Sequence, residues 1–107
     1  MRVASRRVEQ VPLTEALKRR DAVLGAFLCE DGRLRSIPVT HAQRLVVLDL
    51  VAQAFEPGER YQETEVDHRL RGFHDNVTAL RRCLVEEGFL DRDSGVYWRI
   101  GGTVDAF

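Results

Sequence analysis

From Leu13 to Leu28 the chain reads LTEALKRRDAVLGAFL, and Leu13, Leu17, Leu24, Phe27 and Leu28 return to one side at helical spacing, with Pro12 suited to a first turn. The spacing predicts a helix over 13–28. EDGRLRSIP then breaks the period: Asp31-Gly32 marks a turn, Leu34 alternates with Arg33 and Arg35, and Pro38 closes the run, so a short strand is expected. From Ala42, AQRLVVLDLVAQAF has helical length, and Leu45, Val46, Val47, Leu48, Leu50, Val51 and Phe55 go most of the way round its axis. A helix apolar on nearly all sides is buried from more than one direction, so the first 38 residues are expected to pack on it. Glu56-Pro57-Gly58-Glu59 ends that helix.

The second half has shorter periods. Arg60-Tyr61-Gln62 fits a very short strand. ETEVDHRLRGF spaces Val66, Leu70 and Phe73 at i, i+4 and i+7, with Glu63, Glu65 and Asp67 in its early turns, where the helix dipole favours acids, and Gly72 as its stop. HDNVTALRRCLVEEGFL follows: Asp75 or Asn76 caps a helix whose stripe is Val77, Leu80 and Leu84, and Gly88 ends it. FLDRDSGVYWRI reads as strand, turn and strand, with Asp93-Ser94-Gly95 at the tip. The order predicts an α+β fold, a winged helix-turn-helix with an N-terminal helix and short strand packed on it. A chain of 107 residues supports one such core. The expected organisation is a single domain, with an extension over 1–38, the winged-helix core over 39–100 and a tail over 101–107.

Composition narrows the function. No apolar run approaches the roughly 18–20 residues that span a bilayer, and the N-terminal arginines have no apolar region behind them, so a cytoplasmic protein without a membrane partner is expected. Cys29 and Cys83 are far apart among apolar residues, as in reduced thiols rather than a disulfide or metal framework. The net charge of −1 hides an asymmetry: residues 1–20 hold six bases against two acids, and residues 40–107 hold eight arginines against twelve acids. That balance counts against a strongly electrostatic nucleic-acid binder and leaves the basic N-terminal segment as either a solvated arm or a phosphate-touching one.

The chemistry-bearing positions lie on the helix after His74 and on the hairpin. At 100° per residue, Val77, Leu80 and Leu84 centre the buried face, Thr78, Arg82 and Glu86 point away, and Arg81 lies on the border. Thr78 and Arg82 could enter a major groove, where Arg bonds a guanine edge in bidentate fashion. Arg82 could equally pair with Glu86 one turn on. Arg81 is expected to pair with an acid of the preceding helix, such as Glu65. On the hairpin, Arg92 and Arg99 could reach the DNA backbone as wings do, and Trp98 rather than Tyr97 is expected to face the core. The candidate nucleic-acid-binding set is therefore Thr78, Arg81, Arg82, Arg92 and Arg99. His41, His68 and His74 have no ligand spacing with one another or with the cysteines, and His74 is expected to bond a nearby backbone group. With no glycine-rich phosphate loop, no nucleophile elbow and Glu63 and Glu65 on different sides of a helix, the expectation is no enzyme, no cofactor and no metal.

YQETEVD (61–67), HDNVTALRRCLVEEGFLDR (74–92) and GVYWR (95–99) resemble the signature of the domain-of-unknown-function family twenty eighty-seven, whose pattern is Tyr-x-Glu-x-Glu-Val-Asn, then His-x-Asp and Leu-Arg-Arg, then Tyr-Trp-Arg. With DGRLRSIP and RLVVLDLVAQAFEPG the resemblance covers about residues 24–100. Asp67 stands where that pattern has Asn, and Asn76 where it has Asp; both types cap helices about equally well. Members occur alone or joined to winged-helix repressors of the ArsR type, which implies bacterial transcriptional control and names no reaction. The expected function is a winged-helix transcription regulator that binds duplex DNA through the helix after His74 and the wing, as a homodimer. The alternative is a winged-helix module for protein interaction or dimerisation, without direct DNA contact.

Overall fold

The computed structural model describes residues 3–103, with side chains from residue 14 onward. The basic side chains of Arg2, Arg6 and Arg7, the side chain of Leu13 and the tail beyond Thr103 lie outside the described residues. Four helices and three strands follow in the order α1 (Val3–Phe27), α2 (His41–Ala52), β1 (Arg60–Gln62), α3 (Glu63–Arg71), α4 (Val77–Glu86), β2 (Leu90–Asp93) and β3 (Val96–Arg99). The sheet is antiparallel with order β1-β3-β2. The fold is α+β and follows the winged-helix plan: α3, turn and α4, then the β2–β3 hairpin as the wing, with β1 on its other flank.

The centre is α2. Val47, Leu48, Val51 and Ala52 are fully buried, and α1 covers one side while α4 covers another. Val23, Leu24, Phe27 and Leu28 carry the α1 contact. The apolar stripes of α3 (Val66, Leu70) and α4 (Leu80, Leu84) close the core from the far side. Phe55, just beyond α2, is fully buried and meets Tyr61 edge to face, with ring centroids 5.2 Å apart. An aromatic pair of this geometry adds about 0.5–1.5 kcal/mol to the area that each ring buries.

The N-terminal extension differs from expectation in two ways. The helix begins at Val3 rather than near Leu13, so Pro12 lies inside it. The good helix formers in ASRRVEQ carry the helix past a residue that usually marks a start or a kink. Leu17, expected on the packed stripe, is 54% exposed. The short strand of DGRLRSIP contracts to one bridge between Leu28 and Leu34. Its partner is the end of a helix and supports only the bonds from the Cys29 N–H to the Arg33 carbonyl (2.7 Å) and from the Arg35 N–H to the Phe27 carbonyl (2.8 Å), while the Leu34 N–H, on the other side of the segment, donates to the Phe73 carbonyl at 2.7 Å. Leu34 is buried there, so this segment ties the end of α1 to the end of α3.

Local chemistry sets the ends of α4 and of the hairpin. Asn76 caps α4, its side-chain oxygen accepting from the Ala79 N–H at 3.2 Å, while Asp75 pairs with Arg33 at 2.7 Å. The Asn76 N–H donates to His74 Nδ1 at 3.0 Å, the local backbone role expected of that histidine. Gly88 stops α4 with φ of 83°. In the hairpin, Ser94 (φ 52°) and Gly95 (φ 82°) form the two-residue loop with both central residues left-handed, a turn whose twist matches that of paired strands.

Candidate nucleic-acid interface

The sheet's register decides which hairpin residues face α4. Tyr61, Tyr97 and Arg92 stand opposite one another across the three strands, and Arg60, Trp98 and Asp91 form the next row. Successive residues of a strand point to opposite faces. Tyr97 is buried and Leu90 is buried, so the row containing Tyr97 faces inward and Arg92, two residues from Leu90, shares that face at the edge strand. Asp91 and Asp93 leave from the opposite face.

This parity overturns two expectations. Trp98 is not the core residue: it is partly exposed on the outer face, with the Arg60 guanidinium 4.6 Å from its ring centroid, and Tyr97 is the ring that enters the core. Arg99 is not available to DNA. It is 9% exposed and donates to the carbonyls of Phe55 (3.0 Å), Gly101 (2.9 Å) and Thr103 (2.6 Å), which makes it an internal brace between β3, the end of α2 and the segment after the sheet.

Arg81 is the anchor that its border position suggested, with different partners. It donates to Asp67 and lies 3.9 Å from Glu63, whereas Glu65 pairs with Arg69 within α3 at 3.0 Å. Glu63 also accepts from the Tyr97 hydroxyl at 2.8 Å. Burial works against the charge of Arg81, but the hydrogen bond and charge of Asp67 outweigh it and hold its pKa above the ordinary value. The guanidinium therefore joins α4 to α3 and is not a free cation.

Four of the five candidates nevertheless line one cleft of about 320 Å³ between α4 and the hairpin: Thr78, Arg81 and Arg82 from the helix and Arg92 from the wing. Val85 and Tyr97 form its apolar wall, and Glu86 completes the helix side. Arg82 and Arg92 are exposed, and among the described residues neither guanidinium holds a hydrogen bond or ion pair. The Arg82–Glu86 pair does not form, and Glu86 is equally without a partner among them. The other carboxylate at the end of α4, Glu87, turns away to His41 (2.9 Å) and Arg44 (3.2 Å), which hold its pKa below the usual value.

Sequence reasoning found Thr78, Arg82 and Arg92 but not Val85, Glu86 or Tyr97 as members of the same cleft. The signal for Tyr97 was its cross-strand partnership with Arg92, which needs the register and not the pattern alone. Among the described residues no three His, Cys, Asp or Glu side chains cluster as metal ligands, and no helix is long and apolar enough to cross a membrane. Cys29 and Cys83 are free thiols, and burial pushes the Cys83 thiol up.

Fold and cleft together define a winged-helix-type α+β domain with two free arginines between its last helix and its wing. Residues 33–99 match the family described as "Uncharacterized protein conserved in bacteria (DUF2087)", and the chain belongs to that family. No curated protein and no solved structure matches the chain.

Proposed function

We propose that the protein is a DNA-binding transcription regulator of winged-helix type, acting as a homodimer in the bacterial cytoplasm. One observation carries the reading: Arg82 on α4 and Arg92 on the wing converge on a single cleft, and no described acid neutralises either. Helix and wing are the two elements that such a fold lays on duplex DNA, and arginines free of internal partners are what phosphate and base edges recruit. Thr78, exposed one turn before Arg82, adds a hydroxyl to the same surface. Arg81 supports the interface from behind. The exposed Leu17 on α1 supports pairing with a second copy, which would double the DNA contacts.

The test is a salt titration of binding to random-sequence duplex DNA. Removing one arginine–phosphate pairing reduces the slope of log affinity against log salt by about one, so Arg82→Ala and Arg92→Ala should each flatten it by roughly that amount. No binding at low salt, or binding indifferent to both changes, defeats the proposal. A second reading, a protein-interaction module, draws support from the acid Glu86 in the cleft beside the two arginines and from Asp91 and Asp93 on the opposite face of the wing, and that outcome would favour it.

A further inference from the structure

We infer that the cleft between α4 and the wing is also a receptor for a small phosphate monoester with a hydroxylated body, and that its occupation competes with DNA. The competition rests on the function proposed above; the binding does not.

Two free guanidinium groups, from different elements, offer the forked donors that match a phosphate with three acceptor oxygens. A third group says what accompanies the phosphate. Glu86, one turn beyond Arg82, faces the same cleft without a described partner. An ionised carboxylate only accepts hydrogen bonds. An ionised phosphate offers it no donor, whereas a sugar attached to that phosphate can donate hydroxyls to it while the phosphate sits on the arginines. Val85, half-buried at the side of the cleft, gives the apolar surface against which the carbon face of such a body can lie.

A cleft of about 320 Å³ lies at the small end of the range that encloses metabolites, and exceeds what one phosphate alone would fill. Its floor is already built. The Tyr97 hydroxyl donates to Glu63 and Arg81 is held by Asp67, so this side of the cleft does not have to reorganise, and only Arg82, Arg92 and Glu86 are ordered by a ligand. Because Arg82 and Arg92 are the same groups offered to DNA, occupying them with a free phosphate excludes the duplex by direct competition. The protein would then release DNA when the phosphorylated molecule accumulates.

The experiment is an amide-resolved NMR titration of the full chain with ribose 5-phosphate, with inorganic phosphate and ribose as separate arms. Saturable shifts at Thr78, Arg82, Glu86 and Arg92 with ribose 5-phosphate, and none with ribose, are expected. Arg82→Gln and Arg92→Gln should each weaken binding about ten-fold, as expected for loss of one charge-assisted hydrogen bond. Glu86→Gln should weaken ribose 5-phosphate while leaving inorganic phosphate unchanged or tighter, a difference that simple charge attraction does not produce. Absence of saturable shifts at millimolar ligand, shifts centred elsewhere, or equal effects of Glu86→Gln on both phosphates would overturn the inference. Binding of ribose 5-phosphate by a protein that ignores duplex DNA would sink the DNA function and leave the receptor standing. Duplex binding that ribose 5-phosphate cannot displace would sink the competition alone.

Discussion

Replacing Arg99 by Met removes a buried guanidinium while keeping an unbranched stem of similar length, and the structure allows its cost to be worked out. Three carbonyls lose a donor. Thr103 O keeps a second one, the Gln53 side-chain amide at 2.8 Å, and Gly101 O is only partly buried, so water can reach it. Phe55 O is buried and is left without this donor. An unsatisfied buried acceptor costs about 1–3 kcal/mol, and the two weakened charge-assisted bonds add to it, so a net loss of about 2–3 kcal/mol is expected. For a domain of this size that lowers Tm by about 10–20 °C. Urea denaturation and calorimetry read it directly, with Arg92→Met as control: an exposed arginine without a described partner should shift stability by about 0.5 kcal/mol or less. At a temperature where both variants are folded, Arg99→Met should retain the wild-type salt slope for duplex binding and Arg92→Met should not. A stable Arg99→Met that loses DNA binding would overturn the bracing role, since Arg99 would then touch DNA rather than hold the interior.

Two further outcomes follow from the ion pairs. Arg81→Met should leave Asp67 and Glu63 facing each other without their cation and cost about 1–2 kcal/mol, and Asp67→Asn should share most of that loss; a double-mutant cycle by urea denaturation that finds no coupling would show the α3–α4 link to be inert. Glu87 has a folded-state pKa below its ordinary value of 4.5, so its contribution is fully present above that value and is lost as pH falls through the folded pKa; the stability deficit of Glu87→Gln, followed from pH 5 downward by thermal melts, should therefore shrink below about 4.5, and a deficit that grows below that pH would contradict the assigned cause.

The elements that sequence periodicity captures are those whose partners lie close in the chain. The stop at Gly88 and a turn about Ser94-Gly95 are local chemistry legible in the residues themselves, whereas the residues narrow the cap of α4 only to Asp75 or Asn76, and the structure gives it to Asn76 while Asp75 pairs with Arg33. The all-round apolar character of α2 requires that something cover it on several sides, and α1 and α4 do. What periodicity misses depends on distant partners. The DGRLRSIP strand cannot be judged without knowing that its partner is the end of α1, which offers it a single bridge, and the start of α1 is obscured because Pro12 usually marks a start. Arg81 is recognisable as an anchor from its wheel position, but the choice of Asp67 over Glu65 needs the crossing of α3 over α4.

The largest consequence comes from a single binary choice in VYWR. Alternation guarantees that Tyr97 and Trp98 face opposite ways, but composition favours burying the larger ring, and that preference points to Trp98. Register decides otherwise. Arg99 shares the parity of Tyr97, so once Tyr97 enters the core Arg99 must enter too, and it is tolerated there because three carbonyls receive its donors. The same parity turns Arg92 toward α4 and sends Asp91 and Asp93 to the other face. With the opposite choice, Arg92 would leave the helix side and the wing's two acids would line it, giving a cleft that repels phosphate. One inward tyrosine therefore removes one arginine from the candidate interface and assigns another to it, and the charge of the whole surface follows from that step.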